Sequence, residues 1–502
     1  MSTITGLTSS AVIKAQQLVR MQQQLNDLSL QLSTGKKVQT YGGLGVGRGL
    51  DVNLRGSLSR LSAYETSVST VSTRVQLQNL SLDRMSTIRQ DTRSQMLTPQ
   101  NFTLIANGRT NAQIQAGNNL DEALSLLNQK AGNTYLFSGN TTDTPATDTF
   151  DHILNGNGTA AGLKQIISER LQADQGSDGR GRLTAPVASG STVTLAEDGV
   201  HPFGFKLAGG STNIVGAIVT GPSGSPPSLS IDLGAINPPN DATVHVQLNL
   251  PDGTSTSVDL TASSAVPTPA GSFAIGATVA DTATNLAAAI DTKILSLAKT
   301  DLAAASAVTA SDNFFNTDAS HPAQRVNGPP FDSASSLRDA TATDTVKWYT
   351  GDDGTDDPRS TMMARVDDAI TVSYGIRGNE EALRTTVQNL ATLATVSFSG
   401  SDPNANDRYD ALTQRIGSNL APNSTLQQIS AIQTQIAGAN LAANAAKTRI
   451  ENKKSVLQGV LDSIENAEPN EVGVKLLALQ TQLQASLQAT SMLSKLSLVN
   501  FL

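Results

Sequence analysis

Along the first stretch of the chain, Ile4, Leu7, Ala11, Leu18, Met21, Leu25, Leu28 and Leu32 are spaced alternately by three and four, broken by Lys14. That heptad pattern predicts a helix with one apolar seam, the pattern of a coiled coil. The last stretch carries a second apolar stripe, with spacings of three or four. Val472, Leu476, Leu479, Leu483 and Leu487 form a stripe that Leu493 and Leu496 continue, and Gln, Ala, Ser and Thr fill the other positions. No Pro or Gly interrupts it after Gly473. A helix running to the final residue, Leu502, frays unless something holds it, so each stripe is predicted to cover the other.

Between these seams the pattern changes twice. Leu54, Leu58, Leu61, Val68, Val71, Val75, Leu82 and Met85 predict a second helix from Leu50 to about Leu97, stopped by Thr98-Pro99. A third covers roughly Ala112 to Lys130, and Tyr135-Leu136-Phe137 predicts a short strand. From 140 to about 350, Gly, Pro, Ser, Thr and Asp dominate and apolar residues alternate over short spans. Thr192–Leu195, Ser228–Ile231 and Val244–Leu248 are predicted strands, the last pairing with Ser255–Leu260 through a turn at Pro251-Asp252-Gly253. One helix is expected here, Asp281 to Leu297, capped by Asp281 or Thr282.

Helical spacing then returns. Leu383, Val387, Leu390 and Leu393 mark one side of a helix beginning near Glu380. A longer helix starts around Pro422–Thr425 and runs to about Glu465, roughly 60 Å at the usual rise. Its seam is Ile429, Ile432, Ile436, Ala443, Ile450, Leu457, Leu461 and Ile464. The layout predicts an α+β fold. Long helices from both chain ends form a nested antiparallel coiled-coil bundle around a central, mostly β insertion. The predicted domains are 1–45 with 467–502, 46–140 with 351–466, and 141–350.

Composition sharpens this picture. Of 502 residues, 4% are aromatic and 16% charged, which favours long helices and thin β layers over one large core. A formal net charge of -8 argues against a nucleic-acid partner, since phosphate binding requires a basic surface. The chain has no cysteine, which excludes disulfides and thiolate chemistry. No membrane insertion is expected, because no apolar run approaches about 18 residues. The N-terminus lacks the basic and apolar regions of a cleavable secretory signal.

Candidate chemistry is sparse. The glycine run Tyr41–Gly49 follows a helix and lacks a phosphate-loop pattern, so it is expected to be a flexible joint. His152, His201, His245 and His321 are scattered and are expected on turns or the surface. The acidic run Gly351–Pro358 lacks the spacing and distal Glu of a calcium loop and is expected to be a solvated turn. Ser296–Lys299 matches S-x-x-K without the companion motifs that give it meaning. No acid–base pair, nucleophile–base set or metal cluster stands out, so neither enzyme activity nor a cofactor is expected.

Several local runs resemble the bacterial flagellin family, which includes filament subunits and hook–filament junction proteins. Leu32-Ser33-Thr34-Gly35-Lys36-Lys37-Val38 is similar to the family's L-S-T-G-[KR]-x-[VI] segment, although the glycine run replaces the Asp-rich turn that usually follows. Tyr135–Pro145 resembles the junction proteins' Y-L-F-[AS]-G-x-x-T-D-T-P run. Leu483–Leu487 and Leu496–Leu502 resemble their L-Q-A-S and L-S-L-x-[DN]-[YF]-L ending, which some filament subunits share. The resemblance covers about 1–140 and 345–502.

It implies a self-assembling structural subunit of the extracellular flagellum, used for motility and exported unfolded by a type III apparatus. The implied partners are itself, other flagellins, hook-associated proteins, the export machinery and a chaperone. The assembly interface would comprise Leu7, Leu18, Met21, Leu25, Leu28 and Leu32 with Leu476, Leu479, Leu483, Leu487, Leu493, Leu496 and Leu502. The competing expectation is a secreted adhesin with a helical stalk.

Overall fold

The computed structural model describes residues 4–98, 102–105, 108–423 and 425–499, with side chains described between Val12 and Met492 within them. The helices are α1 (Ile4–Thr34), α2 (Gly47–Leu97), α3 (Asn111–Leu127), α4 (Phe150–Asn155), α5 (Leu163–Gln175), α6 (Val279–Lys299), α7 (Asp301–Phe315), α8 (Glu381–Thr395), α9 (Ala405–Asn419), α10 (Ile429–Glu465) and α11 (Pro469–Val499). The strands are β1 (Lys130–Ala131), β2 (Thr134–Tyr135), β3 (Val187–Ser189), β4 (Thr192–Ala196), β5 (Lys206–Thr212), β6 (Ile218–Ser223), β7 (Ser228–Asp232), β8 (Thr243–Asn249), β9 (Ser255–Ser263), β10 (Ser272–Ala274), β11 (Gln324–Val326), β12 (Leu337–Asp339), β13 (Met363–Asp367) and β14 (Ile370–Ser373). The fold is α+β. It divides into two compact units, one of Met1–Thr70, Ala364–Val372 and Leu441–Leu502, the other of Val71–Met363 and Ser373–Asn440.

The first unit is built mainly from helices. In it α1 packs along α11. The α2 segment runs antiparallel to the α10 segment, with Gly47 beside Ile464 and Glu65 bonded to Lys454 at 2.7 Å. Leu54, Leu61 and Val68 of α2 and Ala443, Ile450 and Leu461 of α10 are buried, as their spacing predicts. The last residue of β13, Asp367, places its carboxylate 3.5 Å from Arg449 and 3.4 Å from Lys453.

The second unit holds two four-stranded sheets, β3-β4-β7-β6 and β10-β9-β8-β5. Alternation in the sequence sets the register. Val193 faces Ile231 and Leu195 faces Leu229, while Val244 faces Leu260 and Val246 faces Val258. All eight are buried in one core with Leu286, Ile290 and Ile294 of α6. The turn at Pro251–Gly253 forms as expected, with Gly253 at φ +80° and Leu250 N–H donating to the Thr254 carbonyl at 2.8 Å. A separate helical layer packs α8 against α3, α7 and α9.

Several expectations need correction. The insertion is not mostly β: α4, α5, α6 and α7 all lie within 141–350. Thr278 caps α6, with Asp281 completing the capping box. α8 is buried nearly all round rather than on one side. α10 begins at Ile429, and α3 ends at Leu127 so that Lys130 can enter a short hairpin. That hairpin uses only Thr134 and Tyr135; Leu136 and Phe137 are buried beyond it. The glycine run is not simply a joint, since Tyr41–Leu44 is a 3-10 turn and Gly47 already belongs to α2.

Candidate functional site

The predicted seams fall on α1 and α11, which pack on each other. On α1 the half-buried positions are Leu18, Met21, Leu25 and Leu28, then Gln31. On α11 they are Leu476, Leu479 and Leu483, then Ser486, after a buried Val472. These leucines therefore lie where the seam was predicted. Leu32 and Leu487 do not: they are 47% and 51% exposed. In each case a residue one position earlier takes the inward place, because a straight helix drifts from a strict seven-residue repeat. Leu7, Leu493, Leu496 and Leu502 lie outside the residues whose side chains are described.

The packed seam accounts for only part of the apolar surface. Val12, Ile13, Val19 and Leu30 on α1, and Val474, Leu477 and Met492 on α11, are 47–68% exposed. Scattered exposed leucines are ordinary. Here they recur along two helices rich in Gln, Ser, Thr and Ala with few charges, and Leu50, Val52, Leu441 and Val456 on α2 and α10 of the same unit are exposed as well.

A polar clasp fixes where the two helices meet. Gly35 adopts φ +69° and ends α1, a backbone state that favours glycine. Its carbonyl accepts from Ala467 N–H at 2.9 Å, and Lys37 N–H donates to the Glu465 carbonyl at 2.8 Å. The Lys36 ammonium reaches Glu465 Oε2 at 2.9 Å and Asn466 Oδ1 at 2.7 Å, and Lys37 donates to the Ser463 carbonyl. α1 thus ends where α11 begins, and the two run antiparallel. The Ser-Thr-Gly-Lys-Lys run supplies this clasp.

Beneath it lies a carboxylate pair. The Asp51 side chain is fully buried, 3.3 Å from Arg55, and Arg55 also donates to Glu465. Burial raises the pKa of Asp51, and Glu465 beside it raises it further. Lys36 holds Glu465 well below the ordinary carboxylate range, with Asp51 and Arg55 assisting. Asp51 therefore keeps its proton to a higher pH than Glu465 does. Nothing in the sequence distinguishes Asp51 from a solvated acid in the first turns of a helix.

Other weighed residues have structural roles. Each histidine pairs with an aspartate: His152 with Asp148, His201 with Asp198, His245 with Asp259 and His321 with Asp318. His201 departs from the surface expectation, since its side chain is 3% exposed. Phe203 N–H donates to its Nδ1 at 3.2 Å, which leaves Nε2–H to donate to Asp198 at 2.6 Å. Nor is the acidic turn simply solvated. Buried Arg377 bonds Asp352 at 2.9 Å and the carbonyls of Gly354 and Asp356, and Lys347 neutralises Asp353.

Among the described residues no group of three His, Asp or Glu has metal-binding geometry, and no helix is long and apolar enough to cross a membrane. No protein-family model and no curated protein matches the chain.

Proposed function

We propose that this chain is a structural subunit of the bacterial flagellum, a flagellin-type protein of the filament or of the hook–filament junction, and not an enzyme. The observation that carries this reading is the set of apolar side chains left exposed on α1 and α11 after those helices have packed on each other. Burying such surface in further copies stabilises by about 25 cal/mol per Å². Contacts that repeat without closing a ring produce a helical polymer. The sequence resemblance at Leu32–Val38, Tyr135–Pro145 and Leu496–Leu502 points the same way.

On this reading 1–45 with 467–502 form the coiled-coil assembly domain, 46–140 with 351–466 a helical bundle, and 141–350 the outer insertion. The protein is extracellular, exported without a cleaved signal, and its partners are itself, other flagellar subunits and the export machinery.

Truncation after about Gln480 should leave a folded, soluble monomer that no longer assembles, as read by sedimentation under assembling conditions. Leu479→Asp should act similarly, because a charge in a packed seam is costly. Long polymers from the truncated chain would remove α11 as the assembly element. Small closed oligomers from the intact chain, with a surface ligand bound by the insertion, would favour an adhesin.

A further inference from the structure

A cleft of about 790 Å³ lies between the C-terminal part of α2 and the start of α10, within the second unit. Its polar lining includes Arg89, Gln90, Arg93, Ser94, Gln428 and Ser430, and among the described residues no Asp or Glu lines it. Arg89 and Arg93 are four apart on one helix, so they share a face and repel each other.

Arg89 is 8% exposed. Its guanidinium donates to the carbonyls of Leu420 at 3.1 Å, Ala421 at 3.3 Å and Ala382 at 3.5 Å. The bonds to Leu420 and Ala421 cap the end of α9, but none of the three supplies a counter-charge. Burial pushes its pKa down and no carboxylate acts against that shift. Arg93 is the complementary case. Its Nε is shielded from water with no acceptor, and no carboxylate pairs with its guanidinium among the described residues. A guanidinium fork whose charge no carboxylate meets fits an oxyanion.

We propose that this cleft binds a tetrahedral oxyanion of the phosphate or sulfate class, free or carried on a small molecule, with Arg93 as its hydrogen-bonding fork and Arg89 as its second positive charge. A dianion matches two guanidinium groups in charge, whereas a single carboxylate leaves one uncompensated. The first turn of α10, at Ile429 and Ser430, adds the positive end of a helix dipole to the same rim.

The test is calorimetric titration of the intact protein with inorganic phosphate at fixed ionic strength, with sulfate, acetate and chloride as separate arms. Saturable binding of phosphate or sulfate, weakened at least tenfold in Arg93→Gln, is expected. Ser430→Asp places a negative charge at the rim, on an exposed helix start that tolerates acids, and should abolish binding while preserving the fold. It carries the test should Arg93→Gln fail to fold. The proposal is overturned if chloride matches phosphate, if acetate binds and phosphate does not, if no anion saturates, or if a folded variant binds as the parent does.

Discussion

Asp51 illustrates how one residue can oppose the structure that holds it. Its folded pKa is raised, so its contribution is fully present below the unfolded value near 4 and is lost as pH rises through the folded value. Glu465 has the opposite sign: its lowered pKa contributes stability above the unfolded value, lost as pH falls through the folded one. Asp51→Asn should therefore raise the melting temperature at pH 7, with the gain shrinking toward pH 4, and Glu465→Gln should lower it. His201 gives a second prediction. Burial lowers its pKa, so its imidazole resonances should titrate below the ordinary histidine range, and its contribution is lost as pH falls through that point. Arg377→Met would leave Asp352 half-buried and unpaired. It should cost about 3–5 kcal/mol by urea unfolding, in the range for one partner removed from a buried pair.

Among the elements, α6 tests its cap directly. Thr278→Ala removes the side chain that accepts from Asp281 N–H and should cost about 1 kcal/mol, measured by chemical denaturation. The same helix shows what was legible in the sequence. Leu286, Ile290, Ile294 and Leu297 identified it because large apolar residues contrast with small polar ones, as did the alternation in β4, β7, β8 and β9. α7 escaped notice because Leu302-Ala303-Ala304-Ala305-Ser306-Ala307 lies buried nearly all round, and a helix covered on every side loses its periodic stripe. α9 is amphipathic, but Tyr409, Leu412 and Ile416 span too few turns to stand out before the much longer α10. The clasp was half legible. Gly35 marked the end of α1, but that Lys36 meets Glu465 depends on a contact 429 residues apart in sequence, which no local pattern encodes.

For the whole molecule, the relevant variable is protein concentration. If the exposed apolar positions of α1 and α11 are subunit contacts, their amide exchange should slow as concentration rises through the assembly threshold. Exchange in the β8–β9 core, buried within one chain, should stay constant. Equal slowing everywhere, or none, would contradict assembly through these helices. The anion cleft and the assembly surface use separate residues, so losing one should leave the other intact.

The first unit draws on three separated stretches of sequence, the last beginning at Leu441. A ribosome therefore delivers Met1–Thr70 long before the residues that complete it, and the nascent chain must carry α1 without its partner for most of synthesis. Arrested chains ending before Leu441 should expose that early segment to protease, and release of the full chain should protect it.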